Sequence, residues 1–214
     1  MMSPRRDRNR RPGRRPPFRD PKPVILIVCE GTTEREYLDG FWHATRNPRV
    51  TIRISPETGD PKTLVEVAKQ IRQDAEDEAH RERDDNRAYD SVWCVCDVDD
   101  HSRLANARQM ACDNGIKMAI SNPCFELWLL LHFRDSPGMQ HRDKVKQMLA
   151  KYVPEYDKHV EYRTYSMGYA EAVTRAKRLD RSAESDGDAG RNPTTDVYEL
   201  TELICDEPPL RSQE

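Results

Sequence analysis

The feature that most constrains the fold is a short apolar run at positions 24–29, Val-Ile-Leu-Ile-Val-Cys. An uninterrupted run of this kind is typical of a parallel strand that is buried on both faces of a sheet. A turn containing Gly31 follows, and the spacing of Thr33 and Glu36 predicts a capping box for a helix that runs to about Ala44. The folded part of the chain is therefore expected to begin with a strand, a tight turn and a helix.

The same alternation continues for about 90 residues along the chain. Apolar spacing and turn residues predict, in order, a strand at 50–54, a helix from Asp60-Pro61 to about Arg83, a strand at 92–96, a helix at about 102–112 and a strand at 116–120. Strands that alternate with helices favour a parallel sheet with right-handed crossovers. We therefore expect an α/β fold with a compact sheet of about four strands between helices.

The C-terminal part of the sequence predicts additional helices. Asn122-Pro123 is expected to cap a helix at 124–133, which is apolar nearly all round and should be buried. Apolar spacing predicts two further helices within 145–152 and 169–179, and the residues of 182–190 are typical of a loop. Asn192-Pro193 repeats the cap signal before a last helix.

The N-terminal segment differs in composition from the rest of the chain. Residues 1–22 contain nine basic and two acidic residues and almost no apolar ones, so we expect a disordered arm. Such an arm would neutralise the phosphates of a nucleic acid, although a purely solubilising tail fits equally well. The predicted organisation is this arm, a single domain at 23–207 and a flexible tail at 208–214. The arginines assigned to nucleic-acid binding are Arg5, Arg6, Arg8, Arg10, Arg11, Arg14 and Arg15.

Several functional classes are excluded by what the sequence lacks. No apolar run approaches the roughly 20 residues that cross a bilayer, and no signal peptide is visible, so we expect a cytoplasmic protein without a membrane partner. The six cysteines include no C-x-x-C pair, which favours reduced thiols over disulfides or structural zinc. No phosphate-binding glycine loop appears, so the chain is not expected to hydrolyse ATP by itself.

Acidic residues follow two of the predicted strands. Glu30 comes directly after the first strand, and Asp97 and Asp99 come after the strand at 92–96. Both positions fall at carboxyl ends of strands, the edge where open α/β sheets bind ligands. Alternation along the chain puts Asp97 and Asp99 on the same side, where carboxylates suit Mg²⁺ or Mn²⁺. A helix-capping role for Glu30 and simple turn chemistry for the aspartates are the alternatives.

Glu126 is unusual because its neighbours on the predicted helix are Leu129, Leu130 and Phe133. An acid in that setting is either paired with a buried Arg or Lys or belongs to a site. His132 is expected to be a hydrogen-bonded core residue rather than a proton donor. The additional candidate site residues are Glu34, Asp100, His101, Asn122 and Glu126.

Four segments together resemble the RloB-like family, a branch of the Toprim superfamily that is related to the nucleases of the OLD group. They are Val-Ile-Leu-Ile-Val-Cys-Glu-Gly-Thr-Thr-Glu, Cys-Asp-Val-Asp-Asp, Ser-Asn-Pro-Cys-Phe-Glu-Leu-Trp-Leu-Leu-Leu-His-Phe and Asn-Pro-Thr-Thr. The resemblance covers about residues 24–206. It implies a Toprim-like sheet and a metal site at Glu30, Asp97 and Asp99, in which the aspartates hold magnesium and Glu30 binds a second ion or acts as general acid or base.

The resemblance also implies a function. We expect a magnesium-dependent endonuclease that cleaves DNA or RNA as the effector of an anti-phage defence system, together with an ATPase partner from the same locus. The alternative is a non-catalytic nucleic-acid-binding or adaptor subunit whose acidic cluster stabilises the fold. The sequence leaves open the choice between DNA and RNA and the existence of a homo-oligomer.

Overall fold

The structure is a computed structural model that describes residues 22–84, 87–98, 101–154 and 156–205, with the side chains of 101–103 excepted. Within these residues the fold is α/β, with one five-stranded sheet and seven α-helices. The arm at 1–21, the tail at 206–214 and both Asp99 and Asp100 lie outside the described residues. The domain boundaries at 22 and 207 remain predictions.

The sheet has the order β2-β1-β3-β4-β5. Its strands are β1 (Val24–Cys29), β2 (Thr51–Ile54), β3 (Ser91–Asp97), β4 (Lys117–Asn122) and β5 (Thr194–Thr195). The first four strands are parallel, as the sequence predicts, and β5 pairs antiparallel with the end of β4. All six residues of β1 are buried, which agrees with its continuous apolar run.

The helices lie on both faces of this sheet. They are α1 (Thr32–Thr45), α2 (Pro61–Glu82), α3 (His101–Asp113), α4 (Glu126–Leu131), α5 (Arg142–Leu149), α6 (Tyr169–Ser185) and α7 (Val197–Cys205). Helix α2 starts as predicted, because the Asp60 carboxylate accepts hydrogen bonds from the amides of Lys62 and Thr63 and Pro61 occupies the first helical position. No helix of the described part is both long and apolar enough to cross a membrane.

Two hydrophobic cores flank the sheet. The smaller core packs α2 and α3 against one face, through residues such as Leu26, Leu64 and Ala107. The larger core contains residues of α1, α4, α5, α6 and α7 and includes the five apolar residues of α4, Leu127–Leu131. Aromatic rings surround Tyr37 in this larger core, and their edge-to-face contacts fix how α1 meets α4. The acidic residues of interest lie where this larger core reaches the carboxyl ends of the strands.

Four local predictions were wrong. Asn122-Pro123 does not cap a helix, because Asn122 is the last residue of β4 and α4 begins only at Glu126, with Phe125 as an N-cap that makes no side-chain hydrogen bond. Gly31 caps α1 without a side-chain hydrogen bond, so the capping box fails, and Glu36 instead accepts a hydrogen bond from the amide of Val160 at 2.8 Å. Helix α6 continues to Ser185 into the predicted loop. Asn192-Pro193 precedes strand β5 rather than a helix, and α7 begins at Val197. For Glu36 and for residues 194–195, contacts with the distant Val160 and with β4 outweigh the local signal.

Candidate functional site

Glu30 and Asp97 are in direct contact at the carboxyl edge of the sheet. The backbone amide of Asp97 donates to Glu30 Oε2 at 2.9 Å, and the amide of Glu30 donates to the carbonyl of Val95 at 2.9 Å. Neighbouring parallel strands produce this contact, because β1 and β3 pair with Cys29 opposite Val95. The structure therefore brings together two of the three acids predicted to form the site.

Asp97 is almost completely buried at this edge. It is the last residue of β3, 5% exposed, and its Oδ1 atom is buried without a hydrogen-bond partner among the described residues. Burial raises the pKa of Asp97 well above its ordinary value, the nearby carboxylates of Glu34 and Glu30 raise it further, and Arg142 lowers it. The guanidinium of Arg142 lies 3.5 Å from Asp97 Oδ2.

Glu34 joins these two acids from the first turn of α1. It is 6% exposed, and its Oε2 atom is also buried without a hydrogen-bond partner in the described part. Burial raises the pKa of Glu34 to about 7, with the charges of Glu30 and Glu126 acting in the same direction and the amides of Glu34 and Gly31 against it. A carboxyl group with this pKa changes its charge near neutral pH.

Glu30 is only half-buried, and its pKa is raised mainly by that burial. The hydrogen bond from the amide of Asp97 and the charge of Arg142 lower the pKa, so two opposing effects act on this group. Glu30 is thus the acid of this edge with the freest access to solvent and, by the same token, to a ligand.

Glu126 contributes a fourth carboxylate from the start of α4. The hydroxyl of Tyr156 donates to Glu126 Oε1 at 3.0 Å, and Lys146 Nζ lies 3.6 Å from the same oxygen. The charge of Glu126 also raises the pKa of both Glu34 and Asp97, so it is electrostatically part of the group. Glu126 therefore has a half-buried lysine partner and also lies near the other three acids. We call Glu30, Glu34, Asp97 and Glu126 the edge cluster.

The cations that face the edge cluster come from α5. Arg142 and Lys146 are four residues apart and so project from the same side of that helix toward the acids. Sequence reasoning did not find them, nor Tyr156. The available signal was two basic residues at helical spacing shortly after a wholly apolar helix, but nothing local indicated which acids they would meet.

The donor atoms of the edge cluster are of the chemical type that binds hard divalent cations. Four buried or half-buried carboxylates repel one another, and two of their oxygens, Asp97 Oδ1 and Glu34 Oε2, have no hydrogen-bond donor in the described part. Such oxygen-only donors suit Mg²⁺ or Mn²⁺. Among the described residues no group of three or more His, Cys, Asp or Glu is already arranged around a common metal position. Asp99, assigned to the metal by its position in the sequence, lies outside these residues.

The remaining predicted site residues divide into two groups. The side chains of Asp100 and His101 and the seven arginines of the arm lie outside what the structure describes. Asn122 ends β4, and its side-chain amide donates to the carbonyl of Gly190 at 2.8 Å, so it holds a loop beside the site. His132 is a core residue as expected, bonded to the Tyr37 hydroxyl and the Trp128 carbonyl, and burial lowers its pKa to about 4.

Comparison with known proteins supports one assignment. Searches of the curated proteins and of the solved structures return no significant match. The model of one family, described as RloB-like protein, matches residues 25–204, a range that includes β1 through α7 and every residue of the edge cluster. The chain therefore belongs to the RloB-like family.

Proposed function

We propose that this chain is a Toprim-type endonuclease that cleaves a phosphodiester bond of DNA or RNA with the help of Mg²⁺ or Mn²⁺. The observation that carries the proposal is the pair of buried, unpartnered oxygens on Asp97 and Glu34, beside Glu30 and at the carboxyl edge of a parallel sheet. Burying carboxylates this way destabilises a fold unless a cation or a proton accompanies them. Functional sites are where such groups concentrate.

Within this proposal Asp97 and Glu34 would hold the metal, together with Asp99 and Glu126. When bound, the ion supplies charge neutralisation at the scissile phosphate and lowers the pKa of an attacking water. Arg142 lies 3.5 Å from Asp97 Oδ2 and is therefore placed to bind a phosphate oxygen at the same point. Lys146 and Tyr156 hold Glu126 in position.

Glu30 is the acid with the best position to move a proton. Its Oε2 is fixed by the amide of Asp97, which leaves the second oxygen for a water or a leaving group. A raised pKa at a half-buried carboxyl suits general acid or base work near neutral pH. Glu34, with a pKa of about 7, is a second group able to take or give a proton at this place.

The biological setting follows from the resemblance to RloB-like proteins. We extend the proposal to a cytoplasmic effector of anti-phage defence that acts with an ATPase partner. Support for a separate partner comes from the sequence, which has no phosphate-binding glycine loop of its own. The basic arm would raise the local concentration of nucleic acid.

A specific observation favours the second candidate, a non-catalytic nucleic-acid-binding or adaptor subunit. Arg142 and Lys146 already supply two positive charges to the edge cluster without any metal. In that case the acids would stabilise the packing of α5 against α4 and have no catalytic role. Buried ion pairs with such a purely structural role are common.

Metal-dependent cleavage separates the two candidates. The full-length protein is incubated with labelled RNA and DNA and with Mg²⁺ or Mn²⁺, alone and with the ATPase partner, and compared with Asp97→Asn and Glu30→Gln. A matched control is Asp180→Asn, which changes an acid whose pKa is likewise raised by burial but which lies elsewhere.

Loss of cleavage in the first two variants alone supports the nuclease. Equal cleavage by all the proteins contradicts the proposal, since the edge cluster would then be irrelevant to the activity. Binding of nucleic acid without cleavage under any condition supports the adaptor. Calorimetric titration of Mn²⁺ gives an independent readout, because Asp97→Asn should remove Mn²⁺ binding and Asp180→Asn should keep it.

A further inference from the structure

A groove begins where strands β3 and β4 end. Its volume is about 500 Å³, within the range of about 300–1,000 Å³ that is typical of ligand sites. Val98, which follows Asp97, and Asn122, which follows the strand partner of Asp97, line its inner end. The groove therefore starts one residue away from the edge cluster.

The two walls of the groove each carry an arginine. Helix α3 forms one wall with Leu104, Ala105 and Arg108, and residues 188–192 form the other wall with Arg191. Arg191 is held in place by Asp186 and by Ser182. Arg108 is exposed, and its guanidinium has no hydrogen-bonded partner among the described residues, although its charge lowers the pKa of Asp196. Asp188 is the one acid in the lining.

The groove wall is joined to the catalytic side by hydrogen bonds. Asn192 donates from its side-chain amide to the carbonyl of Gln140 at 2.8 Å, and the amide of Gln140 donates to Asn192 Oδ1 at 3.3 Å. Gln140 lies two residues before Arg142, which faces Asp97. Residues 188–192 are thus connected by hydrogen bonds to the segment that carries Arg142, the cation beside Asp97.

The lining combines features that suit a nucleotide. Guanidinium groups form paired hydrogen bonds to phosphate oxygens. Met139 lies at the groove and is 74% exposed, so a polarizable apolar side chain is free to contact the flat face of a base. The volume accommodates a single ligand-sized unit rather than a duplex.

We infer that this groove binds one nucleotide of a single-stranded nucleic acid next to the scissile phosphate. Arg108 and Arg191 hold the phosphate of that nucleotide, and Met139 with Leu104 contacts its base or sugar. The inference rests on the proposed nuclease function because the position next to the scissile bond has meaning only if the edge cluster cleaves. The binding itself is testable without any cleavage.

The experiment measures the binding of fluorescein-labelled single strands, DNA and RNA of one sequence, and of the corresponding duplex to the full-length protein in EDTA, by anisotropy. Arg108→Gln removes a guanidinium from the groove. Ala105→Glu adds a carboxylate at an exposed helical position of the wall, and Ala105→Gln is its neutral control of matched size. Arg81→Gln changes an exposed arginine on α2 outside the groove.

Loss of one charge-assisted contact should weaken single-strand binding roughly tenfold in Arg108→Gln and also in Ala105→Glu. The slope of log affinity against log salt should fall by about 0.7 in Arg108→Gln. Ala105→Gln and Arg81→Gln should bind as the original chain does, and the duplex should bind more weakly than the single strand. Circular dichroism confirms that each variant is folded.

The inference is overturned if Arg108→Gln and Ala105→Glu bind single strands as tightly as Arg81→Gln does. It is also overturned if Ala105→Glu and Ala105→Gln lose affinity equally, because the size of the new side chain rather than its charge would then weaken binding. Preferred binding of the duplex also overturns it. If the groove variants bind weakly but no condition gives cleavage, the groove stands as a nucleotide site and the proposed nuclease function fails.

Discussion

The chain contains two clusters of acids with raised pKa values, and they differ in what their carboxylate oxygens contact. In the edge cluster, buried oxygens of Asp97 and Glu34 have no hydrogen-bond donor in the described part. In the second group, Asp180 and Asp196 have pKa values raised to about 7 and about 6 by burial, but the Tyr198 side chain lowers the pKa of Asp180 and Asp196 accepts a hydrogen bond from the amide of Ile120. We call this second group the C-terminal cluster.

The difference shows that a raised pKa by itself does not mark a site. Burial raises the pKa of acids in both clusters, since desolvation disfavours the charged form wherever it occurs. In the C-terminal cluster, Asp196 accepts a hydrogen bond from the amide of Ile120 in β4, and Asp180 of α6 interacts electrostatically with Tyr198 of α7. The edge cluster leaves oxygens available, and that availability is what a metal requires.

The largest expected effect concerns Asp97. In Asp97→Asn, metal-dependent cleavage should fall by about 10³-fold or more, because charge stabilisation by a bound ion is worth several kcal/mol. The free energy of unfolding in EDTA should rise, since a neutral amide replaces a buried carboxylate whose pKa is raised. Cleavage assays and urea denaturation measure the two effects. A similar loss of cleavage in Asp180→Asn would erase the distinction between the clusters.

Glu34 should make stability depend on pH. Its pKa is about 7 in the folded chain against an ordinary 4.5, so the stability that protonated Glu34 contributes is complete below pH 4.5 and is lost as the pH rises through 7. Glu34→Gln should raise the free energy of unfolding at pH 8 by up to about 3 kcal/mol and leave it unchanged at pH 4.

Urea denaturation in EDTA at both pH values measures this difference. Asp180→Asn is the matched control, and its gain should be smaller because Asp180 is only half-buried. Excess Mg²⁺ should stabilise the original chain at pH 8 but not Glu34→Gln. Equal stabilisation of both proteins by Mg²⁺ would count against Glu34 as a metal-holding residue.

Two lysine substitutions compare the ion pair Lys146–Glu126 of the edge cluster with the ion pair Lys177–Glu202 of the C-terminal helices. Lys146→Met leaves the buried carboxylate of Glu126 without its cation and should lower the free energy of unfolding by about 1–3 kcal/mol. Lys177→Met removes a more exposed partner, which lies 2.7 Å from Glu202, and should cost less than about 1 kcal/mol. Thermal and urea denaturation distinguish these values. A larger loss of unfolding free energy in Lys177→Met than in Lys146→Met would contradict the expectation that the less exposed ion pair contributes more.

The smallest expected effects come from two tyrosine hydroxyls. Tyr156→Phe removes the donor to Glu126, and Tyr198→Phe removes the hydroxyl that lowers the pKa of Asp180. Each should cost about 1 kcal/mol of stability. Only Tyr156→Phe should also change the metal concentration at half-maximal cleavage, which a metal titration measures. The same change in Tyr198→Phe would show that the effect reflects general stability.

The parallel part of the sheet could be predicted because its signals are local. A buried strand such as β1 can be recognised from six consecutive apolar residues. The acid that follows such a strand then lies at the carboxyl edge of the parallel sheet. Glu30 and Asp97 meet for that reason. Strand β5 has only two residues, Thr194 and Thr195, and is defined by pairing with β4, so no local pattern could reveal it.

The cationic half of the site could not be predicted for a similar reason. Arg142, Lys146 and Tyr156 reach the acids only because α5 and the segment after it fold back on α4. The sequence shows that α4 is buried and that Glu126 needs a partner, but it does not name the partner. Tertiary packing of the C-terminal helices makes that choice.

The anchor of Glu30 has a consequence for inactive forms of this protein. Its Oε2 is bonded to the main chain of residue 97 rather than to a side chain, so the bond persists whatever residue stands there, proline excepted. The side chain of residue 97 can therefore be changed without removing the hydrogen bond that orients Glu30. A chain that has lost the Asp97 carboxylate should keep Glu30 in its original orientation and, under the proposed nuclease function, should bind nucleic acid without cutting it.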